Sequence, residues 1–228
     1  MTNSIFTFRT VVLLVIIVFS FVACSQNESN ERAALPKLGR KQVVEKEVDG
    51  KKTYDTIYHS IPAFAFVNQD SALVTEKTFE GKIYVADFFF TSCPSICPIM
   101  KTQMLRVYDS IQDESDVMLL SHTIDPEYDT VALLKDYAAR LGVTSDKWHF
   151  VTGEKDKIYE IGQRSYMVTA VEDPSEPGGY VHSGAFLLID KDRHVRGVYD
   201  GTKAEDVDEL LRDLDVLLAE HNAPNETN

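Results

Sequence analysis

The longest apolar stretch lies at the start of the chain. Residues 11–18 are uninterrupted, and Phe19-Ser20-Phe21-Val22-Ala23 extends them before the sequence turns polar at Ser25-Gln26-Asn27-Glu28-Ser29-Asn30. A transmembrane helix needs about 20 apolar residues. This run has instead the length of a signal-peptide core, with Arg9 before it. Beyond residue 40 the apolar runs are short. Residues 43–58 are charged but β-prone, and Asp49-Gly50 divides them, which predicts a hairpin. Residues 61–66 alternate and lead into the turn-like Asn68-Gln69-Asp70-Ser71. Residues 83–90 form a β-branched and aromatic run, which reads as a strand buried on both faces.

The remaining elements follow from periodicity. A helix is expected from Cys93 to about Ser110, a strand over 117–124, and an amphipathic helix over 129–141 that Gly142 ends. A short strand and turn at 148–153 precede a helix over 155–165. The strand 183–190 returns across Lys191-Asp192-Arg193 to a partner at 195–199. A last helix covers 204–220, with Val207, Leu210, Leu211, Leu214 and Leu217 inward. Alternating strands and helices define the α/β class: a central mixed sheet with helices on both faces, plus the extra N-terminal β-hairpin. Two features make the pattern thioredoxin-like. A cysteine pair sits where a buried strand meets a helix, and the chain closes with a hairpin and a helix.

Composition narrows the function. A chain of 228 residues suits one domain with added segments. With 44% hydrophobic residues, disorder is not the default. The net charge of −13 comes without a basic face, which argues against a nucleic-acid partner. Acidity favours solubility first, and steering toward a cationic partner second. The expected organisation is a signal peptide over 1–23, a flexible tether over 24–42, the domain over 43–221 and a disordered tail over 222–228.

The three cysteines are unequal. Cys24 follows Phe21-Val22-Ala23, and this order resembles a bacterial lipoprotein signal, in which the cysteine is lipidated and becomes the first mature residue. The resemblance implies an extracytoplasmic, membrane-anchored protein on the periplasmic face. Cys93 and Cys97 are four apart, so both in a first helical turn would share a face. The helix dipole there favours thiolate, so the sulfurs are expected to be close, partly exposed and easily ionised or oxidised. Two thiolates make a soft site of the kind that selects Cu(I), zinc or iron–sulfur clusters. Structural zinc closes with four ligands. A third ligand from elsewhere suits copper, and His182, in Gly178-Gly179-Tyr180-Val181-His182-Ser183, is the candidate. In a thioredoxin-like fold this loop faces the cysteine pair.

Three motifs carry a more specific resemblance. They are Thr91-Ser92-Cys93-Pro94-Ser95-Ile96-Cys97-Pro98, Ile124-Asp125-Pro126-Glu127-Tyr128-Asp129-Thr130, and Val181-His182-Ser183 with Leu187-Leu188-Ile189-Asp190. In order and spacing they resemble the Sco/SenC family. The resemblance implies one copper per chain, Cu(I) with Cu(II) as a second valence, held by Cys93, Cys97 and His182. It implies a metallochaperone, rather than an enzyme, that delivers copper to the dinuclear copper centre of a respiratory cytochrome c oxidase or reduces the cysteines of that centre. The implied partners are the copper-bearing subunit of the oxidase or another copper chaperone, and Asp125 is a candidate partner contact. Asp87 stands where the family often has an uncharged residue. It reads first as a strand-edge carboxylate and second as a buried acid tuning the thiols.

Other readings use the same residues. A thiol–disulfide oxidoreductase would attack with Cys93 and resolve with Cys97. A peroxiredoxin-like peroxidase fits less well, because no arginine lies close in sequence. A metal or redox sensor is a fourth class. His59, His122, His149, His194 and His221 read as satisfied side chains, although His122 ends a strand near Asp125 and is able to approach the site. Met100 and Met104 read as helix core.

Overall fold

Strand β5 (Ile83–Phe89) is buried at every position and runs through the middle of the molecule. The computed structural model describes residues 34–144, 146–176 and 178–222, with the backbone alone at 182. The expected signal peptide, the lipidation of Cys24, the first part of the tether and the tail after Asn222 lie outside the described residues.

Eleven strands are described. The first two, β1 (Lys41–Val48) and β2 (Lys51–Tyr58), form the predicted hairpin. Asp49 and Gly50 both have positive φ, 52° and 72°, as a two-residue turn matched to strand twist requires. The main sheet holds β3 (Ala65–Asn68), β4 (Leu73–Thr75), β5, β6 (Val117–Thr123), β7 (Trp148–Thr152), β10 (Ala185–Ile189) and β11 (Val195–Asp200). Its order is β11-β10-β5-β6-β7-β3-β4. Strands β5, β6 and β7 are parallel, and the others join antiparallel. The small ribbon of β8 (Ala170–Glu172) and β9 (Tyr180–His182) was not expected from periodicity. Strand β3 starts at Ala65 rather than at 61, because Pro62 has no N–H to give a ladder.

The crossovers between the parallel strands place helices α1 (Cys97–Ser110) and α2 (Val131–Arg140) on one face. There Tyr137 stacks on Phe89 at 5.4 Å, and Tyr108 meets Trp148 at 5.5 Å. Helix α3 (Lys155–Glu160) continues as a π-helical turn, Ile161–Tyr166, and covers the other face through Tyr166 and Phe88. Helix α4 (Ala204–Asn222) packs on α1 and β11, and Tyr199 of β11 donates to Asp213 of α4 at 2.8 Å. The buried apolar core lies between Ile61 and Leu217. The chain from Ala34 onward forms one compact unit with its own core, so it is expected to fold without the first 33 residues.

A charged clamp closes the pole at which β5 begins. Arg196 donates to Asp190 Oδ2 at 3.0 Å, Glu220 Oε2 at 2.9 Å and the Leu35 carbonyl at 2.5 Å. Leu35 N returns a bond to Glu220 Oε1 at 3.0 Å. The segment leading to the hairpin is thus fixed to β11 and α4.

The opposite face of the sheet contains a histidine in an apolar cage. His122 is 0% exposed, stacks on Phe88 at 4.7 Å and meets Phe66 and Tyr166 edge-on. Neither ring nitrogen meets a partner at full hydrogen-bond geometry, and the Asp87 backbone nearby offsets only a small part of the burial. Burial pushes the imidazole down to about 3, against 6.5 when unfolded. Between these values the unfolded state binds more protons, so stability falls as pH falls. The loss amounts to roughly 2–3 kcal/mol about two pH units below 6.5. His122→Phe is expected to raise stability by about 1 kcal/mol at neutral pH and to flatten the acid limb. Urea unfolding across the acid range checks both; an unchanged acid limb would reject the account.

Candidate metal centre

Beyond β5, Phe90 leads into a tight turn in which Cys93 N donates to the Phe90 carbonyl at 3.2 Å. Helix α1 begins only at Cys97, with Pro98 in its first turn. The expectation that both cysteines lie in one helical turn is therefore corrected. Cys93 is held instead in the turn that its N–H closes on the Phe90 carbonyl. The turn nevertheless folds the sulfurs together, and both cysteines are unoxidised. The Cys97 thiol hydrogen-bonds the Cys93 sulfur. Ser95 Oγ lies 3.6 Å from Cys93 Sγ.

Exposure and ionisation also differ from expectation. Cys93 is 8% and Cys97 5% exposed. The hydrogen bond to Cys93 pushes the Cys97 thiol well up, and burial adds to this. Donation of the proton to a neighbouring sulfur outweighs the helix dipole. The metal-free dithiol keeps its Cys97 proton at neutral pH.

Asp87 is not at a strand edge, because β10 and β6 flank β5 on either side. It is buried on the α1 face, accepts from Ser121 Oγ at 2.5 Å, and Trp148 Nε1 donates in turn to that oxygen at 2.8 Å. Its charge adds the smallest of the pressures that raise the Cys97 thiol.

One residue that holds the site was missed from sequence. Asp129 is fully buried and accepts from Thr91 N at 3.1 Å, from Thr123 Oγ1 at 2.5 Å and from the Thr91 hydroxyl. It thereby pins the backbone two residues before Cys93 to the end of β6. Its signal was present in Asp125-Pro126-Glu127-Tyr128-Asp129-Thr130, but its partner Thr91 lies 38 residues away. Burial raises the Asp129 carboxyl above the usual range. Asp125 accepts a hydrogen bond from the Tyr180 hydroxyl, and Tyr180 packs on Phe90 at 5.0 Å.

The backbone carrying His182 runs beside the cysteine turn. A Cβ on Gly178 would fall 2.9 Å from the Phe90 ring and 3.1 Å from Pro94 Cδ, and one on Gly184 would lie 3.7 Å from Ile96 Cδ1. The backbone on both sides of position 182 thus passes close to residues on both sides of Cys93. Gly178 also has φ +87°, which disfavours any side chain. Gly178→Ala is expected to push the β9 segment off the turn and to weaken metal binding by about tenfold, as loss of a supporting contact does. A copper titration checks this; unchanged affinity would separate the β9 segment from the site.

The structure does not bring His122 to the cysteines. It sits on the sheet face away from α1, among Phe66, Phe88 and Tyr166. His59 donates to the Ser165 carbonyl, His194 to the His59 carbonyl, and His149 accepts from Asn68. Met100 and Met104 are core.

A buried dithiol after an interior strand of a thioredoxin-like sheet, beside a glycine-rich loop, defines a thiol-based redox or soft-metal protein. The SCO1/SenC family profile matches residues 53–219, and the chain belongs to that family. Three solved structures are similar. A SCO1/SenC family lipoprotein from Bacillus anthracis is 28% identical with a TM-score of 0.64, over 70% of this chain and 95% of its own. BsSco, described as a member of the Sco family of cytochrome c oxidase assembly proteins with a disulfide switch, is 30% identical with a TM-score of 0.62, over 70% and 93%. Copper-bound ScoI from Arabidopsis thaliana is 26% identical with a TM-score of 0.57, over 68% and 97%.

Proposed function

We propose that the chain binds one copper ion through Cys93, Cys97 and His182 and hands it to the copper-bearing subunit of a respiratory cytochrome c oxidase. The carrying observation is the contact between the two thiols, beside the backbone segment that bears His182. Two sulfurs and one imidazole make a three-coordinate soft set that suits Cu(I). The copper-bound and oxidase-assembly descriptions of the similar structures support the reading. The Cys97 proton must leave on loading, so the site takes up metal by exchanging protons. Lipidation of Cys24 would hold the domain outside the cytoplasm, as the lipoprotein description of one similar structure suggests.

A second reading, a dedicated thiol–disulfide reductant, draws on the same hydrogen bond. Cys97 keeps its proton and donates to the sulfur of Cys93, the attacking thiol, and is placed to resolve. His182→Ala separates the two. On the carrier reading it weakens Cu(I) binding by at least about tenfold and leaves the dithiol reduction potential unchanged. If Cu(I) affinity survives the change, the carrier reading fails and the reductant reading stands. Both quantities are measurable on the chain from Ala34.

A further inference from the structure

The β1–β2 hairpin is unpartnered. Its eight residue pairs run without a bulge or a proline from Lys41↔Tyr58 to Val48↔Lys51. Both faces are open to solvent, with Val43 66%, Val48 54%, Tyr54 69% and Ile57 54% exposed. A two-stranded ribbon alone is marginal. A long straight edge with apolar side chains is a template for another strand.

The charges select the partner. On β2, Asp55 is held by Lys46 and Lys52 is held by Glu45, which leaves Lys51. On β1 the same two bridges use Lys46 and Glu45. Among the described residues Lys41 and Glu47 have no ion-pair partner, and they are opposite in sign. Counting back from the Val48–Lys51 pair at the turn, the N–H and C=O groups of Lys41, Val43, Glu45 and Glu47 point away from β2.

We propose that β1 pairs antiparallel with β1 of a second copy of this chain, joining two hairpins into one four-stranded sheet. The outward groups fix which registers are allowed, since only odd positions can exchange backbone bonds with odd positions. The register about Val44 sets Lys41 opposite Glu47 twice, Val43 opposite Glu45 twice, and Val44 opposite its own copy on the two-fold axis. About eight backbone hydrogen bonds form across it. The contact is self-complementary and closes as a dimer rather than growing. The hairpin springs from the Arg193 and His194 end of the sheet, where Tyr58 meets His194 at 6.0 Å. The cysteine turn follows the other end of β5, so pairing leaves both metal sites open to their own partners.

The test is the mass of the chain from Ala34 by light scattering over a wide concentration range. A dimer is expected. Lys41→Glu, which faces only Tyr58 within the hairpin, should weaken it by about tenfold by setting like charges opposite each other twice. Adding Glu47→Lys should restore most of it, less the cost of setting a lysine opposite Lys52 within the hairpin. With Cys93 and Cys97 both replaced by serine, Val44→Cys should form a disulfide-linked dimer under mild oxidation, and Val48→Cys should not. A monomer at every concentration overturns the proposal, as does a dimer indifferent to Lys41→Glu or a Val44→Cys that links no better than Val48→Cys.

Discussion

Replacing either Cys93 or Cys97 with serine is expected to lower Cu(I) affinity by more than about a hundredfold. Removing a group that merely supports a metal ligand already costs about 10–100-fold, and here a thiolate itself is lost. Serine matches cysteine in shape but offers a hard oxygen that does not ionise near neutral pH. Both positions belong to the buried core, and serine is close to cysteine in size, so the variants should stay folded. Competition with a chromophoric Cu(I) chelator gives the affinity directly. A Cys97→Ser protein that bound as tightly as the parent would show that Cys97 is no ligand. The pH dependence adds an independent check. Since the Cys97 thiol is pushed up in the metal-free protein, loading must displace its proton. Affinity should then rise with pH, by up to about tenfold per unit for each proton released. A flat profile would mean that a different group holds the ion.

The second large effect is on stability. Arg196→Ala leaves the Asp190 carboxylate without its cation while both side chains lie inside, 7% and 8% exposed. Breaking a buried pair in this way costs about 3–5 kcal/mol. For a domain of this size the melting temperature should fall by roughly 10 °C. Glu220→Gln should cost much less, because that carboxylate is 30% exposed and still offers an acceptor oxygen. Thermal unfolding of the chain from Ala34 would expose the account as wrong if the two variants melted together.

The elements most legible in the sequence are those whose reasons are local. Asp49-Gly50 announces the hairpin turn because both residues must take positive φ. The uninterrupted run of β5 announces a strand covered on both faces. The leucine spacing of α4 gives its inward face. What failed depends on distant chain. The serine, threonine and proline neighbours of Cys93 suggest an exposed loop, but Phe90, Ile96 and the Gly178 segment close over it. Asp87 looked like an edge residue only because the flanking strands, β6 and β10, come later in the chain. Asp129 needed Thr91 in view before its role had meaning. The strands β8 and β9, three residues each, are too short to show a period.

The Arg196 clamp has a mechanical consequence. A pull on the chain before Leu35 is borne by a guanidinium rooted in β11 and by the end of α4, and it does not reach the hairpin. The clamp thus lies at one end of β5, and the dithiol lies beyond the other. Seven residues of extended chain separate them by about 23 Å. A load entering at the first of these poles is taken up by the clamp before it can distort the cysteine turn at the second.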